Sequence, residues 1–90
     1  YLDKANLRNS ILNNAILLRI HAYQANFQGA SMQHSQLQRA HLVDANLSSV
    51  NLENTILKNC DIRGAEFDSE IRKNADFKKI IRGSNIETTK

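Results

Sequence analysis

The sequence predicts a small all-β solenoid, a single domain of short extended segments joined by regular corners. Three observations predict it. Large apolar residues recur at every fifth position, small residues recur two positions before them, and the other three phases are mostly Asn, Gln, Ser and charged side chains. A helix needs apolar spacing near 3.6 residues and a strand needs 2. A sustained period of five therefore fits neither element as a regular run, whereas short extended pieces with a corner in each unit satisfy it.

Nine of the ten leucines, Leu2, Leu7, Leu12, Leu17, Leu37, Leu42, Leu47, Leu52 and Leu57, share one phase with Phe27, Phe67, Phe77, Met32 and Ile62. Random placement would put about one in five there. Two residues earlier stand Ala5, Ser10, Ala15, Ala25, Ala30, Ser35, Ala40, Ala45, Val50, Thr55, Cys60, Ala65 and Ala75, a phase that holds eight of the nine alanines. The three polar phases face water.

The units Ala5-Asn6-Leu7, Ala25-Asn26-Phe27, Ala45-Asn46-Leu47, Ala65-Glu66-Phe67 and Ala75-Asp76-Phe77 resemble the A-(D/N)-L/F-x-x repeat of pentapeptide-repeat proteins. One unit is a weak signal, but a run of about sixteen in one register, over about residues 1 to 84, is specific. The resemblance implies a right-handed quadrilateral β-helix with one pentapeptide per side and four per coil. The central Leu or Phe and the preceding small residue then point inward. Residues 20 apart would stack at a strand spacing of about 4.8 Å, and about four coils would make a rod about 20 Å tall. The columns agree with that expectation. One side reads Leu7, Phe27, Leu47 and Phe67 inside, with Asn6, Asn26, Asn46 and Glu66 outside, and another reads Leu17, Leu37, Leu57 and Phe77 inside.

Departures from the repeat carry their own expectations. Ile20 takes a small slot while Ala22 takes a large one, a pair of swaps that conserves volume. Glu70 and Arg72 put charges in both inward slots of one unit, where an unpaired charge is very costly. A local bulge that turns Ile71 inward and frees Glu70 and Arg72 is expected. After Phe77 the register fades, with Arg82 in a central slot. Residues 80 to 90 are expected to cap the coil through Ile80, Ile81 or Ile86.

Composition narrows the function classes. The 90 residues are 41% hydrophobic and 23% charged with no Pro, which is neither disordered nor membrane-like. No apolar run approaches the roughly 20 residues that span a bilayer, and no signal-peptide pattern opens the chain. A cytoplasmic location is the expectation, with export as an effector the alternative. The first residue is Tyr1, which fits a trimmed product or a domain of a larger bacterial protein. The first coil, at Tyr1 and Leu2, has no cap, so a flanking domain or end-to-end pairing with a second copy is expected there.

No catalytic constellation, phosphate loop or metal-type Cys/His spacing is present in the sequence, and a filled solenoid offers little concavity. The expectation is a protein that is not an enzyme and uses no cofactor. Cys60 lies in the small phase and reads as a buried, inert thiol. His21 and His41, with Asp61 next in their column, could in principle share a metal, but a solvated polar ladder is the simpler reading.

The basic residues are more suggestive. On the side centred on Leu17, Leu37, Leu57 and Phe77, the outward positions carry Arg19, Arg39, Lys58, Lys78 and Lys79, with Asp76 the only acid. Ile16, Leu18 and Ile56 lie beside them. A basic stripe next to an apolar strip suits an acidic protein partner better than nucleic acid, since stacking aromatics are absent from it. The sequence therefore points to a binding or scaffold module for protein–protein interaction. Alternatives are a gyrase-binding DNA mimic, which the resemblance allows although such relatives are acidic and dimeric, and a binder of nucleic acid or anionic membrane. The net charge of +3 is modest for the last.

Overall fold

Residues 1–73, 77 and 81–85 are described, in a computed structural model, and through residue 67 they repeat one backbone motif every five residues. In most units the central carbonyl accepts a hydrogen bond from the N–H three residues on, as from Ala5 to Leu2 and from Ala25 to Ala22, closing a tight turn. The third residue of the turn has positive φ, as a type II turn requires. Among the described residues eleven non-glycine corners, from Lys4 to Asn59, lie at φ of 57 to 63°, and Gly29, Gly64 and Gly83 lie at 70 to 75°. An L-residue in that region gives up about 1 kcal/mol, less for Asn and Asp.

Contact between successive circuits holds these corners. Asn6 bridges Asn26, Ile11 bridges Ser31, Ile16 bridges Gln36 and His21 bridges His41, all in parallel, and the same pattern continues from Asn26–Asn46 to His41–Asp61. Bonds run both ways at each bridge: Leu7 N–H donates to Asn26 O at 2.7 Å, and Asn26 N–H donates to Ala5 O at 2.9 Å. Each is worth about 1 kcal/mol net. The pairing lengthens into β1 (Asn46–Leu47) and β2 (Glu66–Phe67), parallel and in register. The chain thus returns beside itself every 20 residues, having turned four corners.

The Asn and Asp residues just before the central position have a structural task. Asn26 Oδ1 accepts the Gln28 N–H at 3.0 Å, Asn46 Oδ1 accepts the Ser48 N–H at 2.9 Å, and Asn51 Oδ1 accepts the Glu53 N–H at 3.0 Å. Each side chain thereby satisfies the outward amide that enters the next corner.

Inside, Phe27, Met32, Leu37, Leu42, Leu47, Leu57 and Ile62 are fully buried. Leu2, Leu7, Leu12 and Leu17 of the first circuit are only half-buried, because they are covered from one direction. Hydroxyls in the small phase are not orphaned: Ser35 Oγ donates to Met32 O at 2.7 Å, and Thr55 Oγ1 donates to the same oxygen at 2.6 Å. Ala22 is fully buried, and Ile20 is half-buried against the core.

The predicted defect is present in a different form. Instead of a bulge, Ser69–Lys73 form a short helix, α1. Glu70 and Arg72 are exposed, and Ile71 is half-buried against the core. The helix lengthens this circuit: Asp61 bridges Asn85, and the Cys60 N–H meets Ser84 Oγ 24 residues on, four more than elsewhere. Two expectations change with it. Ile81, only 8% exposed, takes the inward place after Leu57 that was assigned to Phe77, and Arg82 moves from a central slot to an exposed one. Phe77 is equally buried, but it meets Phe67 edge-on at 5.1 Å. Of the expected capping residues, Ile80 and Ile86 lie outside the described residues, as do Ala75 and Asp76.

Gly64 shows how tightly corners stack. A Cβ there would overlap the Asp44 carboxylate of the preceding circuit, at a φ of 70° that already disfavours L-residues. Gly64→Ala should cost about 1–3 kcal/mol, whereas Ser49→Gly, which relieves a strained corner, should stay within about 0.5 kcal/mol of the parent or stabilise it. Urea midpoints measure both, and equal midpoints for the two variants would contradict this account of the corners.

Candidate functional site

The ladder that builds the rod also sorts the outward side chains into columns. On the side containing Leu17, Leu37 and Leu57, Ile16 pairs with Gln36 and Gln36 with Ile56. Beside it, Arg19 N–H donates to Gln38 O, Arg39 N–H to Lys58 O and Asn59 N–H to Arg82 O. Those bonds align Leu18, Gln38, Lys58 and Arg82 in a second column, and Arg19 and Arg39 in a third, at the corner. Arg19, Arg39, Lys58 and Arg82 are exposed. Ile16 and Leu18 are 69% and 49% exposed, and Ile56 is half-buried.

No carboxylate among the described residues pairs with these four cations; the ion pair present is Arg63–Asp61, on the next side. Sequence spacing missed Arg82, because the four residues added by the α1 circuit moved it outward. A charged residue falling in an inward slot was the available signal. Lys78 and Lys79 lie outside the described residues, and Arg82 holds the place after Lys58 that had been assigned to Lys78.

Cys60, the histidine column and Asp61 each make contacts of their own. The Cys60 thiol is buried, its Sγ lies 2.9 Å from Leu37 O, and burial pushes its pKa up. Tyr1, His21 and His41 stack outward, with ring centroids 4.6 and 4.8 Å apart. Asp61 continues the column, yet its carboxylate accepts Arg63 Nε at 2.8 Å and a second guanidinium N–H at 2.7 Å. That fork, more than any contact with His41, holds the Asp61 carboxyl below its ordinary value of 3.8. No group of three His, Cys, Asp or Glu suited to a metal occurs among the described residues. No helix among them is long and apolar enough to cross a membrane.

A filled solenoid of stacked five-residue units defines a repeat protein. The pentapeptide-repeats family pattern matches in eight copies, over residues 1–42 and 35–69, and the chain belongs to that family. Among solved structures it is similar to the pentapeptide repeat protein Rfr23 from the cyanobacterium Cyanothece 51142. That match has 38% identity and a TM-score of 0.55, over 71% of this chain and 40% of that one. A pentapeptide repeat protein from the Arabidopsis thaliana thylakoid lumen matches at 24% identity over 90% of this chain and 61% of that one, with a TM-score of 0.30. The chain thus spans less than two thirds of either protein. No curated protein matches it significantly.

Because the folded pKa of Asp61 lies below its unfolded value, the stability this carboxylate contributes is present above pH 3.8 and lost as pH falls through the folded pKa. Arg63→Gln should return the Asp61 carboxyl towards 3.8, read by NMR titration. An unchanged titration would place the cause elsewhere. The native Cys60 thiol should resist a thiol reagent at pH 8 and react only as the chain unfolds.

Proposed function

We propose that this chain is a non-enzymatic binding or scaffold module, about four coils of a right-handed quadrilateral β-helix holding one basic and apolar side towards an acidic protein partner. One observation carries the reading: Arg19, Arg39, Lys58 and Arg82 share a side with Ile16 and Leu18, and no acid stands among its described outward positions. Elsewhere the charges are mixed. Glu66 and Asp68 lie on the opposite side, and Asp61 is spent on Arg63. Unpaired cations beside exposed apolar surface supply the two components that partner surfaces use, long-range steering and short-range burial.

A rigid ladder suits such a role because the side chains project from backbone positions that are already ordered, which lowers the entropy lost on binding. The double reversal Arg39→Glu with Lys58→Glu should reduce capture of a bound partner at least about tenfold, while the melting temperature, set by the interior, stays close to the parent's. Capture that survives the reversal intact would exclude this side as the interface.

A further inference from the structure

Each described circuit of the basic side carries one cation, Arg19, Arg39, Lys58 or Arg82, while apolar and basic positions are ordered along one of its columns. Its second column runs from Leu18 in the first circuit through Gln38 to Lys58 and Arg82. The most exposed large apolar side chains of this side, Ile16 and Leu18, belong to the first circuit. Within that second column the axial order of apolar, neutral, basic and basic positions is a vector, beside a corner column that carries Arg19 and Arg39 on the first two circuits, so it can read the direction of a bound segment.

Spacing selects the segment's conformation. Successive circuits lie about 4.8 Å apart. Residues on one face of an extended chain recur about every 6.8 Å, while an α-helix returns to the same face about every 5.4 Å. Over the three steps from Leu18 to Arg82 the mismatch is about 6 Å for a strand and about 2 Å for a helix. A helix laid along the rod axis can therefore set one contact residue on each circuit. Its negative C-terminal end is favoured beside Lys58 and Arg82.

We propose that this side docks an acidic amphipathic helix from a protein partner, parallel to the rod axis, with its N-terminal turns on Ile16 and Leu18 and its C-terminal turns on Lys58 and Arg82. The inference rests on the basic-side reading above and adds to it the partner's conformation, its order of contacts and its direction. The contact face would read apolar in the first two turns and Asp or Glu in the last two, at helical spacing of three to four residues. Arg39, at the corner beside Gln38 and Lys58, faces the flank of the first acidic turn.

Three fluorescein-labelled peptides of about sixteen residues test it by anisotropy. One is a helix former with Leu on the contact face of its first two turns and Glu on that of its last two. The second has the same composition in reversed order. The third is a flexible Glu-Gly peptide of equal charge. The first should bind at least about tenfold more tightly than either other. Leu18→Ser and Arg82→Gln, both exposed positions whose change should leave the melting temperature unaltered, should each weaken it about fivefold. Equal binding of the first and second peptides would overturn the direction. Equal binding of the flexible peptide, still lost in the Arg39→Glu, Lys58→Glu protein, would overturn the helix and leave the basic-side reading standing. Absence of binding by all three at millimolar concentration would overturn both.

Discussion

Each five-residue unit of this protein turns on a residue held at positive φ, and the rest of the structure follows from keeping those corners closed. In isolation such a corner is unfavourable for Arg19, Gln24 or His34. It persists because the chain lies against itself 20 residues later, where paired backbone bonds and a shared interior offset the strain. Strain and stacking are thus one cooperative unit, as expected of a solenoid whose circuits are stable mainly through their neighbours. The half-burial of Leu2, Leu7, Leu12 and Leu17 displays the dependence: identical chemistry, one covering circuit fewer.

The same constraint explains how the fold absorbs residues that break its repeat. Glu70 and Arg72 cannot enter the interior unpaired, so the backbone leaves the cornered path and forms α1. Ile71 keeps contact with the core, and Phe77 closes on Phe67. Cornered geometry resumes with Ile81 inside and Gly83 at positive φ. The circuit is longer, but the pairing of Asp61 with Asn85 restores the ladder. The detour also has a consequence for the surface, since it carries Arg82 onto the side of Arg39 and Lys58.

The polar groups of the small inward phase and the Asp61 carboxylate are already engaged. The Cys60 thiol and the hydroxyls of Ser35 and Thr55 meet backbone carbonyls, and Asp61 is held by Arg63. On the side of Leu17, Leu37 and Leu57, four cations and two exposed aliphatic residues stand without a described partner. Its columns are set by the parallel bridges, so its charge pattern is as regular as the backbone beneath it.

The cornered repeat was legible in the sequence from its period of five, while the return of the chain beside itself after four units was what the resemblance to pentapeptide-repeat proteins implied. The inward slots, the outward Asn and Asp phase, the inward places of Ala22 and Ile20 and the trouble at Glu70 and Arg72 all follow from local chemistry summed along a repeat. The length of the detour did not follow. A bulge and a helical turn both remove two charges from the core, and only the packing of Ile71 and Phe77 against the last circuit decides between them. That choice moved the register by four residues, replaced Phe77 by Ile81 after Leu57, and brought Arg82 into the basic side. The sequence by itself determined the repeat and the faces; the tertiary structure alone decided where the repeat resumes, because that depends on contacts between residues the local pattern cannot pair.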